Sequence, residues 1–597
     1  MRPRSTALVA LLVVAGLAGC EGRTRTGASV GASEERHSGP KVVVLDLEYG
    51  VPEQPPSSLL GLSTRAAAFT DLVREIERSG RDHDTAGVLV RLGTARIGLA
   101  RATEIGAMLE ELGGRVPVWC HGDDLANGTA YLAARGCKRI WLSPAGTVDT
   151  IGLASQNLYF HKLLAEQLGL DVDFLQVGKY KGAEEPFTRD GPSPEARESL
   201  QSTLAGMRAS WLGGILRARP ALAPETPEDG PYAAPRAQSL GLVDQVGYFD
   251  DARSELERET AAGRAEVRFG AGAGSGRDDL TEILRVVVGE SLEVAPVAVV
   301  RADGAISLEG ADGLLGGSGG IVERRLARTL LRLEKDDDVK AVVLRIDSPG
   351  GSALASDLLW HGLMRLRAKK PLVVSVGGMA ASGGYYMAST GTVVLADEAS
   401  ILGSIGVVGG KVSADHALER IGVHAETVPA RADDPQAASR AAYESLLLPW
   451  DDATRARVRE TMRGVYDLFL ARVAEGRKVP VEQVAASAEG RLFCGRDALG
   501  RGLVDEIGGL ATAIARARAL ANLPPDARFA VAGEGGGWLD VLAEDGPTRS
   551  AEGAAGTVER LSLPRFVHEL QPFVASLLPL LDHERALCAL PFALTVR

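Results

Sequence analysis

The strongest constraint on the fold of this 597-residue chain is an internal repeat. Two pairs of segments match: residues 127–133 with residues 382–388, and residues 240–247 with residues 501–508. Their spacings are 255 (386 minus 131) and 261 (502 minus 241). Self-similarity at a nearly fixed spacing indicates that one structural unit occurs twice. Predicted strands near residues 42–47 and 297–302 open the two units, so we expect two copies of one fold to make up most of the chain.

The second copy contains a turn suited to display a nucleophile. An apolar run of strand type at residues 373–376 leads into small residues around Ser382, and an apolar run of helical type follows. Glycines let the backbone turn sharply, and small neighbours leave room for a substrate carbonyl. Ser382 is therefore the candidate nucleophile, and a glycine-rich turn with an incidental serine is the alternative. In the first copy Asn127 stands at the same place in the motif.

A second glycine-rich strand end lies upstream of this turn. Residues 341–347 are typical of a buried strand, which ends in Ser-Pro-Gly-Gly at residues 348–351. Paired glycines at a strand end can leave backbone N–H groups free to bind an oxyanion, so Gly350 and Gly351 are the candidate oxyanion loop. The matching strand of the first copy, residues 87–93, is not followed by Pro-Gly-Gly. The first copy has therefore lost both the nucleophile and the loop.

The first copy retains lysines that the second copy lacks. Residues 177–187 contain Lys179 and Lys181, whereas the corresponding residues 428–433 contain no lysine. This complementary loss is expected if one site is assembled from both copies. A serine hydroxyl needs a base, and burial can lower the pKa of an amine from about 10.4 by several units. On an extended segment the two lysines would point to the same face, so alternation does not choose between them.

Four motifs in this order resemble the long-form signal peptide peptidase A family of Ser/Lys proteases. They are Tyr-Lys-x-Ala-x-Glu-Pro-Phe at residues 180–187, Ser-Pro-Gly-Gly at 348–351, Ala-Ser-Gly-Gly-Tyr-Tyr at 381–386 and Gly-Ser-Ile-Gly-Val at 403–407. The resemblance extends from about residue 41 to about residue 520. It implies an α/β fold with a tandem repeat of two crotonase/Clp-protease-like domains built of β-β-α units.

The resemblance also implies a role for each site residue. Ser382 is expected to be the nucleophile, Lys181 the general base and Ser404 the partner that orients the lysine amine. The oxyanion loop is expected at Gly350 and Gly351. A bowl-shaped homotetramer is implied as well, with the active sites on its concave interior.

Two positions depart from the family pattern outside the catalytic residues. Gly182 stands where serine is frequent, and Cys494 stands where threonine is common. The predicted segments are a lipoprotein-type signal peptide (1–20), a flexible tether (21–40), a first domain that lacks the nucleophile and supplies the lysine (41–260), a linker (261–290), a second domain that supplies the serine (291–525) and an extension of unknown role (526–597). Within the extension, residues 561–581 are apolar but interrupted by prolines, which favours packing over a membrane span.

The N-terminal residues predict the compartment. A basic region at residues 1–4 precedes an apolar stretch at residues 7–17 and the sequence Leu-Ala-Gly-Cys, which ends at Cys20. The apolar stretch is shorter than the about 20 residues that a membrane-spanning helix needs and is typical of a signal peptide. Cysteine after Leu-Ala-Gly resembles the bacterial lipoprotein signal. We therefore expect a lipid anchor at Cys20 and a periplasm-facing protein in a bacterial cell envelope, on either membrane; an ordinary secretory signal is the alternative.

The amino-acid composition restricts which ligands and partners the chain is expected to bind. Hydrophobic residues make up 45% of the chain, which is enough for sizeable cores. A net charge of −12 and a pI near 5.5 argue against a nucleic acid partner. The cysteines lack metal-type spacing, and we expect neither a metal nor another cofactor. Cys120 and Cys137 could pair in an oxidising compartment, but we expect two buried free thiols.

Together these features predict a membrane-tethered serine endopeptidase with a Ser/Lys dyad. The family resemblance implies that it degrades cleaved signal peptides and other short or unfolded peptides. Three alternatives stay open: a crotonase-like enzyme acting on acyl thioesters, a catalytically inactive lipoprotein scaffold, and a Ser/His/Asp hydrolase that uses His361 or His416 with Asp347 or Asp397. The complementary serine and lysine argue against the first. The motifs that the chain retains are those that carry the catalytic chemistry, which argues against an inactive scaffold. Neither histidine lies in a motif, which argues against the Ser/His/Asp hydrolase.

Overall fold

The computed structural model describes residues 39–54, 67–271, 273, 295–308, 320–532 and 587–589. The predicted signal peptide with Cys20, nearly all of the tether, most of the linker and the apolar stretch 561–581 lie outside the described residues. In the part of the chain that is described, no helix combines the length and the apolar character needed to cross a bilayer.

The first copy is built on a six-stranded sheet. In order across the sheet, its strands are β10 (Arg264–Phe269), β1 (Lys41–Asp46), β2 (Thr85–Gly93), β3 (Val118–Gly122), β5 (Arg139–Leu142) and β9 (Gln245–Val246). All neighbours in this sheet are parallel. Strands such as β1 are continuous apolar runs because a parallel sheet is buried on both faces. A small separate sheet contains β4 (Leu125–Ala126), β6 (Thr147–Asp149) and β8 (Tyr232–Ala233).

The second copy repeats this strand order. The places of β10, β1, β2, β3, β5 and β9 are taken by β22 (Phe529–Val531), β11 (Val297–Asp303), β14 (Ala341–Ser348), β16 (Leu372–Ala381), β17 (Val393–Ala396) and β21 (Glu506–Ile507). Two further strands, β18 (Ile401–Gly403) and β20 (Leu492–Cys494), extend the sheet beside β16. The prediction of an α/β fold made of two similar units is confirmed.

A third sheet joins the two copies. Its order is β13 (Ile321–Val322), β12 (Ile306–Ser307), β15 (Gly350–Ser352), β23 (Leu587–Ala589), β19 (Val407–Ser413) and β7 (Asp171–Val177). The strand β7 belongs to the first copy and β19 to the second, and they pair antiparallel with Val177 opposite Val407. This register brings the chain after Val177 next to the chain before Val407.

Helices connect the strands of both copies. Those of the first copy are α1 (Phe69–Arg81), α2 (Leu99–Gly113), α3 (Asn127–Gly136), α4 (Glu185–Thr188), α5 (Pro194–Ala218), α6 (Ala234–Leu240) and α7 (Phe249–Glu259), with a π-helical turn at Leu163–Gln167 and a 3-10 turn at Thr226–Glu228. Those of the second are α8 (Glu323–Lys335), α9 (Ala353–Arg367), α10 (Gly383–Ala388), α11 (Asp415–Glu419), α12 (Ala437–Ala441), α13 (Asp452–Arg477), α14 (Val481–Ala485), α15 (Gly495–Gly500) and α16 (Leu510–Leu520). Side chains fix the starts of the two longest: Ser193 caps α5 and Asp451 caps α13.

The two copies share one core. Side chains of β11, β14 and α16 belong to the same buried apolar cluster as those of β1 and β2. Arg345 of β14 is fully buried at this contact. Its Nε donates to Glu53 Oε1 at 2.8 Å and its Nη2 donates to Glu104 Oε1 at 2.6 Å, both in the first copy. Removing one partner of a buried ion pair costs about 3–5 kcal/mol, so separating the copies would leave a costly unpaired charge.

The structure corrects the expectation for two cysteines. Cys120 and Cys137 form a disulfide, so the expectation of two free thiols was wrong. Cys120 lies in β3, and Cys137 directly follows α3, which returns the chain to the neighbouring strand β5. This return brings their Cα atoms to 5.7 Å, a separation that a disulfide can bridge.

Both sheets extend beyond the predicted domain boundaries. The strand β10 pairs with β1 and carries the first sheet past residue 260 to Phe269. The strand β22 pairs with β11 and carries the second sheet past residue 525 to Val531. Each copy thus ends in a strand that returns beside the first strand of its own sheet.

Candidate active site

Ser382 lies at the turn between β16 and α10. Its φ is +55°, a conformation that is costly for a residue with a Cβ. Backbone hydrogen bonds hold this turn: the N–H of Ser382 donates to Gly403 O at 2.8 Å, and the N–H of Tyr386 donates to Ser382 O at 2.9 Å. Strained residues persist where surrounding structure fixes them and are concentrated at functional sites. The strained turn at Ser382 is therefore consistent with a functional position, although its side chain is buried.

Gly384 explains why the turn needs a small residue. A Cβ at this position would lie 2.6 Å from the backbone oxygen of Ser348. The start of α10 therefore packs directly on the strand end that carries the predicted oxyanion loop. A larger side chain would push the two motifs apart.

Lys181 reaches the site from the first copy. It follows β7, whose pairing with β19 aligns it with the segment that contains Ser404. Lys181 is 1% exposed, whereas Lys179 is exposed and places its Nζ over the Tyr180 ring. Strand alternation left both lysines open, whereas the family motif pointed to Lys181, and Lys181 is the one that is buried.

The buried amine of Lys181 contacts both serines of the second copy. Its Nζ lies 2.7 Å from Ser382 Oγ, 2.9 Å from Ser404 Oγ and 3.0 Å from Ser404 O. Ser382 and Ser404 are as buried as the lysine. Ser404 also has a positive φ, +49°, and its N–H donates to Arg491 O at 2.7 Å. The three predicted residues Lys181, Ser382 and Ser404 are thus brought together.

A turn of the second copy holds the lysine segment in place. Gly490 has a φ of +81°, and a Cβ there would lie 2.5 Å from Lys181 N and 2.6 Å from Lys181 Cα. Next to it, Glu489 O accepts from the N–H of Tyr180 at 2.8 Å and Glu489 Oε2 accepts from the N–H of Lys179 at 3.0 Å. The residues Glu489 and Gly490 were not predicted. The short sequence Ala-Glu-Gly-Arg carries no signal for a contact with a segment about 300 positions away.

One carboxyl group in the segment that follows Lys181 has a raised pKa. Burial, with the negative charge of Glu185 adding to it, raises the pKa of Glu184 to about 7, while Lys181 opposes the shift. Near neutral pH, Glu184 therefore carries only part of a negative charge. A full charge there would favour the ammonium form of the lysine.

The predicted oxyanion loop lies beside the helix that begins directly after Ser382. Gly350 and Gly351 form part of β15, which contacts α10. The N–H of Gly350 donates to Ser348 Oγ at 3.1 Å, and Ser348 Oγ donates to Gly304 O at 2.7 Å. The N–H of Gly350 would have to leave Ser348 before it could bind an oxyanion.

The residues of the Ser/His/Asp alternative are not assembled. His416 is exposed and pairs with Asp171 at 2.8 Å, and His361 is exposed on α9. Asp347 accepts from the N–H of Gly378, and Asp397 accepts from the N–H of Ala399. Among the residues that the structure describes, no group of His, Cys, Asp and Glu side chains is arranged to hold a metal ion.

At the equivalent turn of the first copy, Asn127 makes structural hydrogen bonds. Asn127 Nδ2 donates to Gly152 O at 2.8 Å, and the N–H of Ile151 donates to Asn127 Oδ1 at 3.1 Å. Trp211 Nε1 donates to Asn127 O at 3.1 Å. The amide therefore ties the start of α3 to the backbone at residues 151–152.

Comparisons with known proteins match both copies. A model of peptidase family S49 matches residues 111–263 and 364–524, and a Clp protease model matches residues 320–402. The chain is 32% identical over 422 residues to Protease 4 of Haemophilus influenzae, covering 69% of this chain and 66% of that protein. It is 32% identical over 471 residues to Protease 4 of Salmonella typhi, and this match covers 76% of this chain and 72% of that protein. It is 28% identical over 414 residues to the chloroplastic serine protease SPPA of Arabidopsis thaliana, and this match covers 66% of this chain and 57% of that protein. The match thus spans less than two thirds of the Haemophilus and Arabidopsis proteins.

Proposed function

The chain belongs to peptidase family S49, a family of serine peptidases, and on this premise we propose the reaction that it catalyses. It is a membrane-tethered endopeptidase with a Ser382/Lys181 dyad, which degrades cleaved signal peptides and other short or unfolded peptides. One observation carries the proposal: the buried Nζ of Lys181 lies 2.7 Å from Oγ of the strained Ser382. Burial disfavours the ammonium form of an amine, which prepares Lys181 to accept a proton.

The reaction proceeds through an acyl-enzyme. Neutral Lys181 takes the hydroxyl proton of Ser382, and Oγ attacks the carbonyl carbon of the scissile peptide bond. Backbone N–H groups of the loop at Gly350 and Gly351 stabilise the oxyanion once the N–H of Gly350 has left Ser348 Oγ. The lysine ammonium then gives its proton to the leaving amine as the C–N bond breaks. Water, activated by the neutral lysine, hydrolyses the Ser382 ester and releases the second product.

Ser404 orients the base. Its Oγ and its backbone oxygen both lie within hydrogen-bond distance of Lys181 Nζ, at 2.9 Å and 3.0 Å. These two acceptors fix the position of the amine, so that its lone pair can face Ser382 Oγ when the lysine is neutral. Holding reacting groups in place removes an entropic cost from the barrier.

The proposal places the protein in the cell envelope of a bacterium, facing the periplasm and anchored through lipidated Cys20. The Cys120–Cys137 disulfide supports an oxidising compartment. Assembly as a homotetramer and the segment roles given above for residues 1–40 are part of the proposal. Replacing Cys20 with serine should release the protein from membrane fractions; membrane retention of the processed Cys20→Ser chain would point to another anchor.

A serine-directed fluorophosphonate tests the nucleophile directly. The wild-type chain should be labelled, and Ser382→Ala should not be, because the reacting oxygen is missing. Lys181→Ala should be labelled far more slowly, whereas Lys179→Ala, which removes an exposed amine two residues away, should be labelled at the wild-type rate. Undiminished labelling of Ser382→Ala would assign the reaction to another residue and overturn the proposal.

A further inference from the structure

Glu184 is a buried carboxyl group in the segment that carries the lysine. It stands three residues after Lys181, at a position that the motif Tyr-Lys-x-Ala-x-Glu-Pro-Phe leaves open. Only 9% of the residue is exposed. A carboxyl group at this depth loses most of its hydration, so it ionises readily only where hydrogen-bond donors or positive charges replace the water.

The side chain of Gln176 supplies such a donor and links Glu184 to the lysine backbone. Gln176 lies near the end of β7 and is itself exposed. Three oxygens face its amide nitrogen: Nε2 donates to Glu184 Oε1 at 2.6 Å, to Glu184 Oε2 at 3.1 Å and to Lys181 O. The carboxyl group of Glu184 and the backbone carbonyl group of Lys181 are thus tied to one amide.

Glu184 and Lys181 also interact through their charges. Burial is the largest influence on Glu184 and, with Glu185, opposes its ionisation, whereas Lys181 and Arg189 favour it. The resulting pKa of Glu184 is about 7, so its charge changes in the neutral pH range. The other charged side chains of the segment and of the turn that holds it are Lys179, Glu185, Arg189, Glu489 and Arg491.

The interaction between the two titrating groups works in both directions. A negative charge on Glu184 stabilises the ammonium form of Lys181, and a protonated Glu184 does not. Only the neutral amine can take the proton from Ser382 Oγ, which lies 2.7 Å from Nζ. The protonation state of Glu184 therefore affects what fraction of the enzyme holds an active base.

We propose that Glu184, held by Gln176, is a positioning residue that sets the pH range in which Lys181 acts as the base. The inference rests on the proposed function, because it takes Lys181 as the base of the peptidase. An ionised Glu184 keeps the lysine protonated and slows the reaction, so the carboxyl group restrains the enzyme on the acid limb of its pH profile. Both residues act through the lysine and not on the substrate.

Glu184→Gln gives the main test. The amide has nearly the shape of the carboxyl group but no negative charge, so the neutral fraction of Lys181 should rise at every pH below the plateau. We follow the rate of fluorophosphonate labelling of Ser382 between about pH 5 and about pH 10. The acid limb should move to lower pH by about half a unit to one unit, which is about three- to tenfold faster labelling on that limb. A limb at the wild-type position, or at higher pH, would overturn the inference.

Asp190→Asn is the matched control. Asp190 is an exposed carboxyl group six residues further along the chain, and it pairs with Lys162 at 3.3 Å. The acid limb of this variant should coincide with that of the wild-type chain. An equal shift in both variants would assign the effect to net charge and not to the neighbourhood of the lysine, and it would contradict the inference.

Gln176→Ala tests the link without altering a buried side chain. Because Gln176 is exposed, this variant should fold like the wild-type chain. Loss of the donor disfavours the ionised form of Glu184, so the acid limb should again move to lower pH, by less than in Glu184→Gln. Added to Glu184→Gln, the same change should give no further shift. An additive shift would separate Gln176 from Glu184 and refute their joint role.

The Lys181→Ala chain separates an effect of charge from an effect of packing. The acceleration by Glu184→Gln should be lost in this chain, because no amine is left to respond; an acceleration that persists would be structural and would refute the inference. Absence of wild-type labelling at every pH would refute the peptidase, and this inference with it. Labelling of Ser382 with the same acid limb in the wild-type and Glu184→Gln chains would keep the peptidase and refute only the role of Glu184.

Discussion

The turns at Asn127 and Ser382 occupy the same place in two sheets of the same strand order, yet their side chains have opposite uses. The side-chain amide of Asn127 donates one hydrogen bond to the backbone at residues 151–152 and accepts another from it, so both of its polar atoms have a structural role. Ser382 keeps its Oγ for a contact with Lys181, a residue of the other copy. Under the proposed mechanism, the second copy therefore supplies the nucleophile and the first copy supplies the base.

The position of Lys181 depends on contacts that the second copy makes with residues 179–181 of the first copy. The turn at Glu489 and Gly490 accepts backbone hydrogen bonds from Lys179 and Tyr180, and it packs against the backbone of Lys181. Under the proposed mechanism, the base is therefore supplied by one copy and positioned by the other. This interdependence can be tested from both sides.

The largest effect is expected when either half of the dyad is removed. Lys181→Ala should cut peptide turnover about as severely as Ser382→Ala, by roughly 10⁶-fold if the pair acts as a unit, as in well-studied serine proteases. Steady-state turnover of a fluorogenic peptide measures this, and Lys179→Ala is the control. A second copy that is active by itself, or an active Lys181→Ala chain, would break the idea of one site built from two copies.

Gly490→Ala tests whether the second copy positions the base. The new Cβ would lie 2.5 Å from Lys181 N in a positive-φ position, so the lysine segment must shift. A misplacement of about 1 Å can cost about 10²-fold, and we expect kcat to fall by that order while the KM changes little. The matched control is Gly464→Ala in α13, where a Cβ meets no neighbour within 4 Å. Equal kcat values for the two variants would show that the turn does not set the position of the base.

Asn127→Ala should affect stability and spare activity. The change removes two hydrogen bonds to the backbone, which lowers the free energy of unfolding by about 1–2 kcal/mol. Denaturant unfolding and peptide turnover measure the two effects. Introducing a serine through Asn127→Ser in the Ser382→Ala chain should not restore turnover, because the first copy lacks the oxyanion loop. Restored turnover would mean that the first copy kept a working site.

The smallest effect concerns an acidic pair that only the second copy has. Asp303 lies opposite Asp347 across β11 and β14, whereas Asp46 lies opposite Arg91 across β1 and β2. Burial, together with the charge of Asp347, raises the pKa of Asp303 to about 7. This group binds more protons in the folded than in the unfolded chain. Its contribution to stability is therefore full below about pH 4 and is lost as the pH rises through about 7.

Asp303→Asn should remove this pH dependence. The free energy of unfolding should fall less between about pH 4 and pH 7 in the variant than in the wild-type chain, as followed by denaturant unfolding at a series of pH values. Asp46→Asn, at the position that faces Arg91, is the matched change in the first copy and should not flatten the curve. A wild-type slope in Asp303→Asn would assign the pH dependence to other groups.

The repeat, the displayed serine and the lysine segment could be predicted because each leaves a local pattern. The glycines around Ser382 form one contiguous motif, and the residues around Lys181 form another. Each motif can therefore be recognised from the sequence alone. The fold class followed from the repeat and from the family resemblance.

Features that depend on distant pairing could not be predicted. The Cys120–Cys137 disulfide arises because α3 returns the chain to a neighbouring strand, and nothing at either cysteine encodes that return. The strands β10, β22 and β23 pair with strands that lie far along the chain. The contact of Gly490 with Lys181 likewise joins segments that share no local pattern.

The separation of 201 residues between Lys181 and Ser382 has a consequence for synthesis. Translation proceeds at about 5–20 residues per second, so the lysine emerges from the ribosome roughly 10–40 seconds before the serine is made. Under the proposed mechanism, the nascent chain lacks its nucleophile throughout that interval. It could then not cleave its own unfinished chain, or its neighbours, until most of its length has been translated.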